Sequence, residues 1–233
     1  DTIQNQILRS PVSNPGQYVY SDNDFILLGK VVEAVAGKNL DSYVQEAFYG
    51  PMNMSTTGYL PLQKTSSYNI AATEKDNYFR NELLIGSVHD EGAAMMGGIA
   101  GHAGLFSNAP DLAKLYLMLL NKGSWAGKQY LAPSTIKLFT SYQSKESRRG
   151  LGFDKPTKPN KKNQQTALYP CESASPETFG HTGYTGTCVW ADPKTNLLFV
   201  FLSNRVNPTR DNKTFNELNL RSKIQDAIYT AIN

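Results

Sequence analysis

Residues 177–190 read ETFGHTGYTGTCVW, and the interpretation of the fold depends on this stretch. Aromatic and β-branched residues on both sides of its centre favour a β-strand. The centre carries glycine and hydroxyl residues directly after His181. Glycine inside a strand marks a bulge or a place where another backbone or a ligand approaches closely. The stretch therefore predicts a strand over 177–191 that either bends at its glycines or lines a binding site.

A second strand is predicted over 196–203, because apolar residues resume after the turn signal Asp192-Pro193-Lys194-Thr195-Asn196. A helix is predicted from about 214 to 232. Two strands are too few for a stable sheet with a buried face. We therefore expect this strand pair to have partners that the chain does not contain.

The part of the chain before these strands is predicted to be mainly helix and loop. Apolar residues at helical spacing predict a helix over 24–35, with Ser21 or Asp22 as its N-cap and Gly37 at its C-terminus. Further helices are predicted from Asn39 or Asp41 to Phe48, after Ser107 or Asn108, and around 134–142. Residues 55–88 are polar and irregular, which is typical of a functional loop or a lid over a site.

The composition fits an ordinary soluble globular protein of 233 residues with a net charge of +3. Its basic cluster, made of Lys145, Arg148 and Arg149 and then Lys155 to Lys162, is predicted to be a solvated loop and not a nucleic-acid surface, because no aromatic residues are interspersed with it. No run of 18 apolar residues predicts a membrane span. The start of the chain has neither the basic region nor the apolar core of a signal peptide.

Two cysteines, Cys171 and Cys188, form either one disulfide or two free thiols, so they leave the redox compartment open. The cysteines and histidines show no ligand spacing, and neither a metal site nor a cofactor is predicted. His89 and His102 lie in acidic or glycine-rich sequence, where each either lines a pocket or makes a structural hydrogen bond.

Several blocks of sequence follow one another in a specific order: Tyr20-Ser21-Asp22, FILLGKVVEAVAGKNLDSYVQEAFYGPMNM, VHDEGAAMMGGIAGHAGLFSNAPDLAKL, LGFDKP, His181-Thr182-Gly183 and FLSNRVNPTR. This order resembles that of the class C β-lactamase-like hydrolases of the serine β-lactamase and penicillin-binding protein superfamily. The first block resembles the Tyr-x-Asn element of that family, and His181-Thr182-Gly183 stands at the place of Lys-Thr-Gly. The chain also resembles the hydrolase module fused behind a family 3 glycoside hydrolase in Bacteroides-like bacteria.

The resemblance implies an α+β fold in which helices flank an antiparallel sheet. It further implies that residues 1–233 are the C-terminal part of a hydrolase domain whose N-terminal part is missing. Within that partial domain, 1–175 are expected to be mainly helix and loop, and 176–233 a strand pair plus a C-terminal helix.

The resemblance also assigns roles to individual residues. Tyr20 is expected to be the general base or proton shuttle, and His181 is expected to face the substrate in the same cleft. The backbone N–H of Tyr184 is expected to be one of two oxyanion donors, whose loss typically costs about 100- to 1,000-fold in rate. The expected substrate-binding residues are Asp22, Thr182, Gly183 and Tyr184.

At three places the sequence departs from the family pattern, and each departure affects the expected activity. The family's nucleophile lies in Ser-x-x-Lys upstream of Tyr-x-Asn, but the only such sequence here is Ser134-Thr135-Ile136-Lys137, which is predicted to cap a peripheral helix. Asp22 replaces an asparagine that can donate a hydrogen bond. His181 replaces a lysine, which removes a fixed positive charge near neutral pH. The chain alone is therefore predicted to be inactive, and ester or peptide hydrolysis is favoured over β-lactam turnover.

The sequence thus predicts part of a serine hydrolase that acts through an acyl-enzyme on an ester, an amide or a cell-wall peptide. The resemblance implies a small-molecule or peptidoglycan-derived substrate and a periplasmic or other extracytoplasmic location. Two alternatives are a non-catalytic peptidoglycan-binding module and a structural module that supports a fused glycosidase. An upstream Ser-x-x-Lys in the parent protein would favour the enzyme over both.

Overall fold

A computed structural model of the chain describes residues 2–12, 14–157 and 169–232. Helices α1 to α8 span Thr2–Arg9, Asp22–Ala36, Leu40–Val44, Glu91–Met95, Ala109–Leu120, Pro133–Thr140, Thr214–Glu217 and Leu220–Ile232. Strands β1 to β7 span Lys75–Asp76, Glu82–Leu83, Ser124–Trp125, Lys128–Gln129, Phe179–Thr182, Cys188–Asp192 and Leu197–Phe201. In this part of the chain no helix has the length and apolar character needed to cross a membrane. The predicted mixture of helices and antiparallel strands is confirmed.

The chain divides into two compact units. The first consists of Asp1–Asp111 with Asn207–Thr209, and the second of Leu112–Val206 with Arg210–Asn233. The first unit contains helices α1 to α4 and the two-stranded sheet β1-β2, and the second contains the three-stranded sheet β5-β6-β7.

Helix α2 forms where its sequence predicts it. The Ser21 hydroxyl accepts a hydrogen bond from the backbone N–H of Asn23 at 3.2 Å, which satisfies one of the free donors of the first turn. At the other end Gly37 adopts a left-handed conformation (φ 63°), and its N–H donates to the carbonyl of Glu33. Glycine takes this conformation without the strain that a Cβ would cause, so it ends the helix.

Residues 55–88 are ordered around one buried carboxylate. Asp76 accepts hydrogen bonds from the backbone N–H groups of Tyr78, Phe79 and Arg80 at 2.9–3.0 Å, and the Arg80 guanidinium pairs with it at 3.1 Å. Burial acts to raise the pKa of Asp76, but these hydrogen bonds outweigh burial and hold the pKa well below its usual range. The predicted irregular segment is therefore a folded loop around the hairpin β1-β2.

The stretch 177–191 is two strands and not one. Strand β5 pairs antiparallel with β6, with Gly180 opposite Trp190, and β6 pairs antiparallel with β7. The chain reverses at Gly183–Gly186, where the Gly186 N–H donates to the Gly183 carbonyl and Gly186 has a φ of 123°. The glycines in the centre of the stretch mark this reversal, so the predicted strand pair is a three-stranded sheet in which β5 is an outer strand.

Apolar side chains cover both faces of this sheet. On one face Cys188, Trp190 and Phe199 form a buried cluster. On the other face Phe179 of β5 stacks on Tyr116 at 6.3 Å and meets Phe153 edge-on at 5.2 Å, measured between ring centroids. Because successive side chains of a strand point to opposite faces, His181 shares the face of Phe179, and Thr182 shares that of Trp190.

Two helix predictions need correction. The C-terminal helix is broken into α7 and α8 at Asn219, which has a left-handed φ of 50°, and the Asn219 carbonyl accepts from the N–H of Lys223 at the start of α8. Asparagine adopts this conformation more readily than most residues.

Helix α6 begins at Pro133 with Ala132 as its cap, so Ser134 lies within the first turn and is not the N-cap. Proline suits the first helical position because its φ is already helical and the missing N–H has no partner there.

Cys171 and Cys188 are both buried and both free thiols. The disulfide that the sequence left open is not formed. Burial raises the pKa of Cys171 to about 12 and that of Cys188 to about 11. Since the thiolate is the reactive form, both thiols are chemically inert near neutral pH.

Candidate active site

In the first unit, Tyr20 and Asp22 flank the N-cap of α2. Tyr20 directly precedes the cap and is 61% exposed, and Asp22 is the exposed first residue of the helix. Ser21 between them is the cap itself. Asp22 is favourably placed beside the positive end of the helix dipole. The tripeptide therefore holds a phenol and a carboxylate at one helix N-terminus.

The glycine-rich block, residues 97–104 (GGIAGHAG), packs against the N-terminal half of α2. A Cβ on Gly101 would lie 2.0 Å from the carbonyl oxygen of Phe25 and 3.2 Å from the backbone nitrogen of Gly29. The Tyr59 hydroxyl donates to the carbonyl of Ala100 at 3.2 Å and anchors the block from its other side. Phe25 is four residues beyond Ser21, so this contact lies about one helical turn along α2 from the N-cap that follows Tyr20.

We expect Gly101→Ala to destabilise the protein by about 1–3 kcal/mol or more, because the new methyl group must displace the backbone of α2. Urea denaturation measures the loss. Gly97→Ala is the matched control: Gly97 has a positive φ (84°), but a Cβ added there would have no atom within 4 Å, so only backbone strain of about 1–2 kcal/mol applies. A Gly101→Ala variant as stable as the wild type would contradict the close approach.

The two histidines of the first unit bind carboxylates. His102 Nε2 lies 2.8 Å from Asp90 Oδ1, and the same oxygen accepts from the backbone N–H of Ala93 at 2.7 Å. The hydrogen bond to His102 is the main cause that holds the pKa of Asp90 below its usual range. His89 Nε2 lies 2.7 Å from Glu74 Oε2. Of the two roles that the sequence left open, these contacts favour the structural hydrogen bond.

In the second unit, His181 is held between a guanidinium and a carbonyl. Arg149 Nη1 donates to His181 Nε2 at 2.5 Å, and His181 Nδ1 lies 2.8 Å from the backbone oxygen of Thr182. A carbonyl only accepts and a guanidinium only donates, so the proton is on Nδ1 and the Nε2 lone pair faces Arg149. Burial lowers the pKa of His181, and the charges of Arg149 and Arg148 lower it further. The imidazole is therefore neutral near neutral pH.

The basic cluster is only in part the solvated loop that the sequence predicted. Lys145 is exposed, but Arg148 and Arg149 bind partners within the unit and Lys155 is buried, while residues 158–162 of the cluster lie outside the described residues. Arg148 binds the buried carboxylate of Asp154 through Nε at 2.8 Å and Nη2 at 3.0 Å, and its guanidinium lies 4.4 Å from the ring centroid of Tyr169. A two-point pair of this kind fixes an arginine in position. Arg149 brings a permanent positive charge to His181, the residue that the resemblance aligns with the lysine of the family pattern.

Lys155 supports the start of β5 from inside the unit. It is only 2% exposed, and its Nζ donates to the carbonyls of Thr178 at 3.0 Å and Glu177 at 3.4 Å. Its ammonium also lies 4.8 Å from the ring centroid of Tyr142. Burial lowers the pKa of Lys155 to about 8.

This pKa predicts how stability depends on pH. Between about pH 8 and the unfolded value near 10.4, the unfolded chain binds the lysine proton and the folded chain does not, so the free energy of unfolding rises with pH in that window. Lys155→Met removes this contribution. We therefore expect the unfolding free energy of the wild type minus that of Lys155→Met to increase from about pH 8 to 10.4 in chemical denaturation. A difference that stays constant or falls would contradict the lowered pKa.

The turn after β5 carries the remaining predicted site residues. The Tyr184 carbonyl accepts from Arg205 Nε at 2.8 Å, and the Arg205 guanidinium lies 4.5 Å from the centroid of the Tyr184 ring. The backbone N–H of Arg205 donates to the carbonyl of Thr185 at 2.9 Å. A Cβ on Gly183 would lie 2.3 Å from the hydroxyl of Thr187, so a larger residue there would require the Thr187 side chain to rotate. Tyr184 lies in an anchored turn and not, as expected, along a strand.

The predicted site residues fall into two groups. His181, Thr182, Gly183 and Tyr184 are consecutive on β5 and its turn, in the second unit, whereas Tyr20 and Asp22 start α2 in the first unit. The meeting of Tyr20 and His181 in one cleft stays a prediction. Sequence reasoning missed Arg149, Asp154 and Lys155. The signal that could have found Asp154 and Lys155 was LGFDKP, which places an aspartate and a lysine within an otherwise apolar and glycine-rich segment.

Comparison with known proteins identifies the family. The family described as Beta-lactamase matches residues 3–221. A protein of Escherichia coli (strain K12) described as "Putative D-alanyl-D-alanine carboxypeptidase" is 39% identical over 215 residues, which are 85% of this chain and 48% of that protein. The chain thus spans about half the length of the curated relatives it matches.

Solved structures show the same fold. A beta-lactamase from Mycobacterium bovis superposes with a TM-score of 0.60 at 22% identity, covering 94% of this chain and 66% of that one. A penicillin binding protein from Bacillus halodurans superposes with a TM-score of 0.58 at 16% identity, covering 87% and 58%. The predicted β-lactamase and penicillin-binding-protein fold is confirmed. Since the family match extends over nearly all of the chain, the protein belongs to the beta-lactamase family, within the superfamily of penicillin-binding-protein-like serine hydrolases.

Proposed function

We propose that the chain belongs to a serine hydrolase that removes the terminal D-alanine of a cell-wall peptide through an acyl-enzyme. The observation that carries the proposal is the contact between Arg149 and His181 at the end of β5. A guanidinium held beside a neutral histidine suits a substrate that ends in a free carboxylate. The name of the Escherichia coli relative points to the same class of substrate.

The proposal assigns each residue a role in acyl transfer. A serine of a Ser-x-x-Lys element, upstream of Tyr20 in the full-length protein, attacks the carbonyl carbon of the penultimate residue. Tyr20 takes the serine proton and delivers it to the departing amine of D-alanine. The N–H of Tyr184 stabilises the oxyanion, and the Arg149 guanidinium, held in place by His181, binds the substrate carboxylate. Water then hydrolyses the ester and regenerates the serine.

We also propose a cellular location and a fused partner domain. A substrate derived from peptidoglycan places the enzyme outside the cytoplasm, in the periplasm or its equivalent. The fusion to a family 3 glycoside hydrolase, implied by resemblance, would bring a sugar-cleaving domain to the same polymer.

The test measures D-alanine release from an N-acylated peptide ending in D-Ala-D-Ala, with the full-length protein, against the same peptide with a C-terminal amide. We expect release of free D-alanine, and a higher kcat/KM for the free acid than for the amide. Binding of the acid without any release would favour the non-catalytic peptidoglycan-binding module instead. A protein that neither binds nor cleaves the peptide would contradict both.

A further inference from the structure

Asp154 is a buried carboxylate that has no role in the proposed reaction. Its side chain is 1% exposed. Its Oδ1 accepts from Arg148 Nε and from the backbone N–H of Lys155 at 3.0 Å, and it lies 3.5 Å from Arg149 Nε. A buried carboxylate is costly unless it is paired and hydrogen-bonded, and two guanidinium groups meet that need here. The two arginines are therefore held by one acidic residue.

The backbone of Asp154 is bound to β5. Its N–H donates to the Gly180 carbonyl at 2.7 Å, and the Gly180 N–H donates back to the Asp154 carbonyl at 3.0 Å. On the other side of β5, a Cβ on Gly180 would lie 2.0 Å from the carbonyl oxygen of Val189 in β6. Gly180 is thus held between Asp154 and β6, one residue before His181. Asp154 therefore fixes the strand as well as the arginines.

These contacts form a continuous series from Asp154 through Arg149 to the end of β5. The Arg149 guanidinium uses Nε toward Asp154 and Nη1 toward His181 Nε2. The His181 ring then donates from Nδ1 to the Thr182 carbonyl. The long side chain of arginine loses rotamer freedom when it is fixed, so without an anchor it would sample solvent. Asp154 is the group that supplies the anchor.

We propose that Asp154 is a positioning residue that holds Arg149 against His181 and thereby sets the preference for carboxylate-ended substrates. This inference rests on the proposed function, because it assumes that the Arg149 guanidinium beside His181 meets the substrate carboxylate. Asp154 itself does not touch the substrate. Its effect on the site passes through Arg149 and through the register of β5.

The test compares Asp154→Asn with Asp192→Asn in the full-length protein. Asn keeps the size of the side chain but removes its charge and one acceptor. Asp192 is the matched control: it is also 1% exposed, lies in the same unit, and binds Ser175 and Tyr229 at the end of β6 opposite to Cys188. Its substitution reports what the loss of another buried carboxylate does to the same sheet.

We expect Asp154→Asn to lower kcat/KM for the free-acid peptide about tenfold, mainly through KM, as for one lost charge-assisted hydrogen bond. The value for the C-terminal amide should change much less. Asp192→Asn should change both substrates by the same factor. If Asp154→Asn also changes both by the same factor, its role is merely structural and the inference is overturned.

A second readout does not depend on activity. Nitrogen-15 NMR of the imidazole at neutral pH should show His181 as the single Nδ1–H tautomer in the wild type and in Asp192→Asn, and as a mixture in Asp154→Asn. A single tautomer in Asp154→Asn would overturn the inference. If the protein cleaves neither peptide, the proposed function fails, and the tautomer still decides whether Asp154 positions Arg149.

If Asp154→Asn does not fold, Arg149→Lys tests the same series of contacts and leaves the pair between Arg148 and Asp154 intact. A lysine has one donor group and cannot reach both Asp154 and His181, unlike the arginine fork. We expect the mixed tautomers and the reduced preference for the free acid here as well. An unchanged tautomer with an unchanged preference would overturn the inference.

Discussion

Replacing Tyr20 by phenylalanine in the full-length protein should lower kcat by about 100- to 10,000-fold, the usual contribution of a general base. KM should change little, because a proton transfer in the transition state contributes to kcat and not to ground-state binding. The ring is 61% exposed at the N-cap of α2, so the substitution should not disturb packing. Steady-state kinetics on the D-Ala-D-Ala peptide measures the effect.

Tyr18→Phe is the control for this variant. Tyr18 is two residues away and 49% exposed, so it reports what the loss of a nearby surface hydroxyl does by itself. We expect a kcat close to that of the wild type. A Tyr20→Phe enzyme with near-normal kcat would remove Tyr20 from the mechanism, together with the predicted cleft that it shares with His181.

The second large effect is expected for Arg149→Ala. Removing one partner from a desolvated, hydrogen-bonded charge contact costs about 2–5 kcal/mol, so kcat/KM for the free-acid peptide should fall about 30- to 5,000-fold. The amide should be affected far less, because it carries no negative charge. Lys145→Ala, an exposed residue of the same basic segment, should leave both values unchanged. Equal losses for acid and amide would contradict a carboxylate-binding role.

The same variant should shift the titration of His181. The positive charge of Arg149 disfavours the imidazolium and lowers the pKa of His181, so its removal should raise that pKa. An NMR titration of the imidazole measures the shift. A pKa that falls, or does not move, would mean that Arg149 does not lie beside the ring in solution.

The features that the sequence predicts well are those that local chemistry determines. Helix α2 has a serine cap, a periodic apolar face and a glycine that tolerates a left-handed φ, and all three signals lie within one short segment, from Ser21 to Gly37. The turn between β6 and β7 is equally local, because Asp192 accepts from the N–H of Lys194 and Asn196 takes a positive φ. The order of the motif blocks adds the family, and hence the fold.

The errors arise where tertiary contacts decide. Tyrosine and threonine in the centre of 177–190 have high strand propensity, yet Gly183 and Gly186 turn the chain back there, and Arg205 anchors that turn from 21 residues away. The prediction of a solvated segment fails at Arg149, because its partner His181 is 32 residues away in the sequence. No periodicity in the sequence reports such a contact. The role of LGFDKP is visible only from the backbone bridge between its aspartate and β5.

The most direct test of the account is the site of covalent acylation. Intact-protein and peptide mass spectrometry, after incubation with a fluorescent penicillin, should show one adduct per full-length molecule, on the serine of a Ser-x-x-Lys element upstream of Tyr20. The 233-residue chain alone should carry no adduct. An adduct on Ser134 or on any other serine of this chain, or a full-length protein that forms no acyl-enzyme, would contradict the account.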